Sequence, residues 1–358
     1  MIESPVSTAP RTAATETRRT PAHAGMPVPR GVLHARLLLP PALTYCIDRL
    51  EPRLRDMCGY QLGVHDEHGH PTGSAHGKLI RPAFALLCAK ACGGELVDAV
   101  PAAVAVELVH NASLVHDDIM DGDRERRHRP TVWARYGIPM AILAGDAMFA
   151  LAFEALGTPE RRPADHHLAR TLRELMAGQS RDLRFERLGA PSIGECIDMI
   201  EGKTGALLGS ACRLGALYGS APTPVAEAFG RFGLDLGVAF QLLDDLLGIW
   251  GDPKATGKPV GSDLQARKKS APVVAALTAG RAASRRLAEL YQTSGPFETG
   301  QLVLAAELID AAGGRAWARE EARRRIDAAW QHLAAVDIPG EARNDLEELT
   351  TFLIDREW

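Results

Sequence analysis

From about Leu33 to the end of the chain, apolar residues recur at steps of three and four, and glycine or proline falls between the apolar runs. That period belongs to helices with one buried face, whereas a half-buried strand would alternate every second residue. Ala322, Ile326, Ala329, Trp330 and Leu333 form one such stripe, and Glu320 and Glu321 stand four residues before Arg324 and Arg325 on the solvated side. Alternating Val, Ile and Thr runs bounded by Asn-Gly or Asp-Gly turns are missing. The spacing predicts helices over 98–121, 139–157, 165–188, 223–248 and 315–336, within one all-α domain spanning 33–358.

Residues 1–32 carry Pro5, Pro10, Pro21, Pro27 and Pro29 and almost no large apolar side chains, so a disordered tail is expected there, with a docking segment for a partner as the alternative. No basic segment followed by an apolar run marks a secretory signal. The longest apolar stretches, Val100–Val115 and Ile138–Leu156, are broken by Glu107 and His110 and by Asp146 and Glu154, so no transmembrane segment is expected. With 41 Lys and Arg against 45 Asp and Glu, the net charge of −4 argues against a nucleic-acid partner. Six cysteines, none in a CxxC pair, suit a reduced, cytoplasmic protein.

Two acidic clusters carry the chemistry. His116-Asp117-Asp118-Ile119-Met120-Asp121 closes an apolar helix, and the i, i+4 spacing sets Asp117 and Asp121 on one face with Cβ atoms roughly 5–6 Å apart. Such a pair suits a hard cation that prefers oxygen ligands. An EF-hand is excluded, because a loop starting at Asp117 would place Ile119 at position three and His128 at position twelve. A second apolar helix delivers Asp244-Asp245-Leu246-Leu247-Gly248. Basic residues follow each cluster: Arg126 and Arg127 after the first, and Lys258, Arg267, Lys268 and Lys269 after the second. Carboxylates holding Mg²⁺ with cations beside them fit a phosphate-bearing substrate.

These motifs, in order, resemble the trans-type isoprenyl diphosphate synthases, or polyprenyl synthetases, over about residues 36–358. The matching segments are Gly77-Lys78 with Arg81-Pro82, His110 ahead of the first cluster, Arg126-Arg127, Gly145-Asp146 and Gly178-Gln179. They continue with Lys203-Thr204, Phe240-Gln241, Asp244-Asp245 and Gly257-Lys258-Pro259. The resemblance implies a single large helical bundle around a central cleft. It implies a homodimer joining isopentenyl diphosphate to an allylic diphosphate with three Mg²⁺ ions, for which Mn²⁺ could substitute. Asp117, Asp121 and Asp244 would hold metal, with Asp118 and Asp245 beside them in the catalytic set. Lys203, Lys258, Gln179 and Arg126 would face the allylic diphosphate, and Lys78, Arg81, His110 and Arg127 isopentenyl diphosphate. Thr204, Gln241 and Lys268 are further candidates for substrate binding.

One departure stands out: Gly248 occupies the place where the family has a third acid. Because that acid acts through water in the family, Gly248→Asp is expected to be tolerated. Small residues at Ala112 and Ser113, before an uninterrupted first motif, imply a long prenyl tunnel and a geranylgeranyl product. The rivals are a class I terpene cyclase, whose NDxxSxxxE motif is absent, since Asn344-Asp345 is followed by Glu348 and Phe352, and a non-catalytic subunit of a heteromeric synthase.

Overall fold

The computed structural model describes residues 27–75, 77–157, 162–187, 191–252, 261–293 and 295–354. The helices are α1 (Arg30–Ile47), α2 (Pro52–Leu62), α3 (Ile80–Ala91), α4 (Val100–Asp121), α5 (Val132–Tyr136), α6 (Ile138–Leu156), α7 (Arg162–Arg187) and α8 (Ile193–Ile200). A π-turn at Glu201–Gly205 leads into α9 (Ala206–Tyr218) and α10 (Thr223–Trp250). After them come α11 (Ser262–Gln265), α12 (Ala271–Thr278), α13 (Ala282–Gln292), α14 (Thr299–Ala311), α15 (Gly314–His332) and α16 (Gly340–Ile354). The five helices expected from spacing are all present, each end within four residues. Local punctuation explains the boundaries. Proline opens α2, α4, α6 and α10 within their first two positions, where its missing N–H costs nothing, and left-handed Gly63 and Gly122 close α2 and α4.

The fold begins earlier than expected, at Arg30, and Gly31 and Val32 are already buried. The cause is long-range: Arg30 bonds Glu348 through its backbone N–H and Asp345, which is buried, through its guanidinium at 2.6 Å, so α1 docks on α16. Residues 1–26 of the expected tail lie outside the described residues.

The core lies between α3, α4, α9 and α10. Phe84 of α3 and Phe232 of α10 meet edge to face at 6.2 Å, and Trp330 of α15 packs on Phe232 at 5.0 Å. Full burial of Phe84 and Phe232 contributes roughly 1.5–3 kcal/mol each. Two segments, Leu96–Asp121 and α6, are long and apolar enough by composition to cross a membrane. The first runs through the core; α6 turns Ile138, Ile142 and Leu143 outward. All six cysteines are free thiols, and burial pushes that of Cys58 up to about 12.

Among the described residues one two-stranded element interrupts the helices. A hairpin pairs Glu125–Arg126 with Arg129–Pro130, and its turn residues Arg127 and His128 both take positive φ, 53° and 62°. This is the two-residue turn whose twist matches a hairpin, normally built from Asn and Gly. Without those residues it leaves no signal in the sequence.

Candidate active site

The two longest core helices, α4 and α10, carry the acidic clusters at their C-terminal ends. In the first cluster, Asp118 is 1% exposed and its Oδ1 accepts from Arg126 Nε at 2.7 Å, which fastens the hairpin to α4. Its Oδ2 is buried without a hydrogen-bond partner. Asp117 and Asp121 are partly exposed. Burial raises the Asp117 carboxyl to about 6, with Lys203 opposing and Asp121 adding to the shift, and burial raises Asp121 as well. Carboxylates that are costly to ionise alone are those a cation stabilises most.

The second cluster repeats the arrangement. Asp245 is buried, its Oδ1 accepts from Gln241 Nε2 at 2.8 Å, and its Oδ2 accepts from the backbone N–H of Ala271 at 2.9 Å, the first residue of α12. Thr204 Oγ1 donates to Gln241 Oε1 at 2.9 Å, so Thr204, Gln241, Asp245 and Ala271 form one line of hydrogen bonds. Burial raises Asp245 to about 6. Asp244, the preceding residue, is less buried.

Gly248 has a structural reason that was hidden in the sequence. A Cβ built there would lie 2.3 Å from Oδ2 of Asp263, so the Asp263 carboxylate from α11 already fills the space a side chain would need. The contact is with the tip of a flexible side chain, so Gly248→Asp asks the Asp263 carboxylate to turn aside and moves no backbone. Lys268, three residues past the end of α11, stands among Asp245, Asp263, Asp182 and Asp244. Burial would lower its pKa, but these four acids together raise it.

Lys203 projects from the π-turn, and its Nζ donates to Asp182 Oδ2 of α7 at 2.6 Å. The turn reaches α7 because Gly178 has no side chain; a Cβ there would lie 2.2 Å from the Lys203 backbone N. Asp182 and Asp263 were not among the residues singled out from the sequence. The only available signal for Asp182 was its place four residues after Gly178 on the same helix.

A second cationic group meets α4 at Glu107 and His110. Left-handed Gly77 (φ 93°) lies beneath the Arg127 guanidinium, which a Cβ at 77 would meet at 3.2 Å, so the Gly77-Lys78 segment and the hairpin turn are brought together. Glu107, 5% exposed, faces both Arg81 and Arg127 electrostatically and accepts from Asn111 Nδ2 at 2.8 Å. Burial, with Arg81, Arg127 and Arg126 nearby, holds His110 well below the usual imidazole range, so it is neutral. Arg81 Nε is buried without a partner.

Between α4, α6 and α7 lies a cavity of about 580 Å³, lined among others by Ser113, Asp117, Phe149, Leu175, Met176 and Gln179. Both polar atoms of the buried Gln179 amide lack partners. Gly145 admits the His116 ring, whose Nε2 a Cβ at 145 would meet at 2.2 Å, and His116 packs edge-on against Phe149. Ser113 lines the cavity and donates to His110 O at 2.8 Å, whereas Ala112 is wholly buried in the core. Lys258 lies outside the described residues. Among the described residues no three Asp, Glu, His or Cys side chains form a ready-made cation cage. Mg²⁺ is ordinarily held by one or two carboxylates plus substrate phosphates, so paired, half-buried acids fit it without a cage.

Residues 67–308 match the model of the Polyprenyl synthetase family. The chain is 45% identical over 347 residues to a (2E,6E)-farnesyl diphosphate synthase of Mycobacterium tuberculosis, covering 95% of this chain and 94% of that protein. It is 42% identical over 322 residues to a geranylgeranyl diphosphate synthase of the same organism, covering 88% and 91%. A crystal structure of a polyprenyl synthetase from Streptomyces coelicolor A3(2) superposes with a TM-score of 0.85 at 46% identity, covering 90% of this chain and 98% of that one. With the family model spanning most of the cleft's residues and relatives matching almost from end to end, the chain belongs to the polyprenyl synthetase family of prenyltransferases.

Proposed function

We propose that the chain condenses isopentenyl diphosphate head-to-tail with an allylic diphosphate, and that its main product is geranylgeranyl diphosphate. The observation that carries the reading is the meeting of Asp117 and Asp121 on α4 with Lys203 and Asp182, beside a largely apolar cavity that Asp117 lines. In this reading Asp117, Asp121 and Asp244 hold three Mg²⁺ ions. Bound there, the metal supplies positive charge to the diphosphate that departs.

The chain's own residues do the rest. Lys203, Lys258, Lys268, Arg126 and the unpartnered Gln179 amide bind and orient the allylic diphosphate, while Asp118 fixes Arg126 in place. Thr204, Gln241 and Asp245 brace the second cluster. Lys78, Arg81, Arg127 and neutral His110 bind isopentenyl diphosphate, with Glu107 balancing the two arginines. The allylic C–O bond breaks and its electron pair leaves with diphosphate. The double bond of isopentenyl diphosphate then attacks the allylic carbon, and the proton lost to form the new double bond goes to the released diphosphate. Phe149 and Leu175 give the cationic carbon a wall without a nucleophile.

Product length rests on the cavity. Ser113 gives it space on the α4 side, which favours twenty carbons; Phe149 in its wall and the farnesyl-forming relative favour fifteen as the second reading. Incubation with Mg²⁺, isopentenyl diphosphate and each allylic primer, followed by chromatography of the products, decides between them. Ser113→Phe is expected to shorten the product with turnover retained. Ala112→Phe, in the packed core, is expected instead to destabilise the fold by about 1–3 kcal/mol. An unchanged product from an active Ser113→Phe variant would remove that residue from the tunnel.

The reading includes a homodimer. The exposed Ile138 and Ile142 on one face of α6, with Leu143 beside them, and Leu37 and Tyr45 of α1, 72% and 71% exposed, support it as an apolar surface in want of cover.

A further inference from the structure

Lys203 enters the cleft from a π-turn, a single wide turn inserted between α8 and α9. A π-turn has one residue more per turn than its neighbours and is kept only where surrounding contacts hold it. Two of those contacts are backbone packing. Gly178 of α7 abuts the N of Lys203, and Gly205, at the end of the turn, lies against Gly237 of α10, where a Cβ would sit 2.7 Å from the Gly205 Cα. These clamp the turn from the sides, and Lys203 on Asp182 and Thr204 on Gln241 tie its inner face, which leaves the rotation of its first residue, Glu201.

The rotation is addressed by a side chain from elsewhere. Arg325 of α15 spreads its guanidinium over three carboxylates: Nη2 to Glu201 at 2.9 Å, Nη1 to Asp235 at 2.7 Å, and Nε to Glu321 at 3.0 Å. Glu201 is the first residue of the π-turn, Asp235 belongs to α10, and Glu321 lies one turn back on α15. Arg325 and Asp235 are 13% and 11% exposed, and His332 Nε2 lies 3.0 Å from the other oxygen of Asp235, so the anchor itself is fixed. A planar fork with five donors can serve three acceptors in set directions, which a lysine ammonium cannot reproduce.

We propose that Arg325 is a positioning residue for the prenyl transfer: by holding Glu201 against α10 it sets the direction in which Lys203 meets the allylic diphosphate. The inference rests on the reading of Lys203 as a contact to that diphosphate.

Steady-state kinetics in both substrates, with unfolding by urea as the control, test it. Glu201→Ala leaves Arg325 bonded to Asp235 and Glu321, so its unfolding midpoint is expected near the parent's. Its KM for the allylic diphosphate is expected to rise about five- to tenfold with the KM for isopentenyl diphosphate unchanged. Glu201→Gln, which keeps an acceptor, is expected to recover most of that loss, and Arg325→Lys to exceed it. If Lys203→Ala impairs the enzyme while Glu201→Ala and Arg325→Lys, both folded, behave as the parent, the inference is wrong. Equal rises in both KM values would also overturn it, as a general loosening. Parent-like kinetics in Lys203→Ala would bring down the reading of Lys203, and this inference with it.

Discussion

The two acidic clusters share a plan and differ at one position. In each, the second aspartate turns inward and anchors the chain that follows: Asp118 takes Arg126 of the hairpin, and Asp245 takes the N–H of Ala271 at the start of α12. In each, the first aspartate is less buried than the second. At i+4 they part, because α4 offers Asp121 whereas α10 offers Gly248 and receives the Asp263 carboxylate from another helix. A carboxylate needed at a given point can come from the same helix or from across the gap, and glycine makes the second route possible. The shared plan also separates two kinds of acid that look alike in sequence. Asp118 and Asp245 hold the protein to itself, and in the proposed reading Asp117, Asp121 and Asp244 would hold the cation.

That division predicts different losses. Asp117→Asn and Asp121→Asn are expected to cut kcat by about 10²–10³, the scale seen when one preorganised electrostatic group is removed, with circular dichroism and urea unfolding unchanged. Near-parent turnover of Asp117→Asn at saturating Mg²⁺ would break the assignment. Asp245→Ala should behave oppositely in one respect, losing stability. It gives up two hydrogen bonds to a carboxylate and leaves the Ala271 N–H buried without a partner, so urea unfolding should show a loss of about 2–3 kcal/mol. A stable Asp245→Ala protein would erase the contrast between the inward and the less buried acids. The smallest effect is expected at i+4 of α10. Gly248→Asp should lower kcat by about tenfold, and Gly248→Asp combined with Asp263→Gly should regain most of it, since the pair then carries one carboxylate as before. A rate in the double variant no better than in the single would show that the Asp263 position, and not just its charge, matters.

The parts of this arrangement that were legible in sequence are those encoded within one helix. Asp117 and Asp121 are four apart, so the period of α4 alone puts them on a face, and the same period revealed the long helices. The parts that were not legible join distant segments. Asp263 and Gly248 belong to different helices, and nothing near either announces the other. Arg325 read as one member of a solvated stripe, yet it bridges α15 to the π-turn and α10. Asp182 gained meaning only when Gly178 let the π-turn approach α7. The hairpin went unseen because Arg127 and His128 hold left-handed conformations usually given to Asn or Gly, a backbone cost of the order of 1–3 kcal/mol per residue that surrounding contacts must offset. Arg30 placed the start of the fold earlier than its proline-rich surroundings suggested, through a partner more than three hundred residues away.

The glycines that seat the π-turn decide which part of the cleft is rigid. Where Gly178 meets Lys203 and Gly237 meets Gly205, main chain rests on main chain, with no side chain between them that could swing aside. That wall is fixed, whereas the hairpin is joined by only two residue pairs and is tied back through Arg126. Amide hydrogens of 201–209 should accordingly exchange last and those of 122–131 early, a gradient of opening laid out across a single pocket.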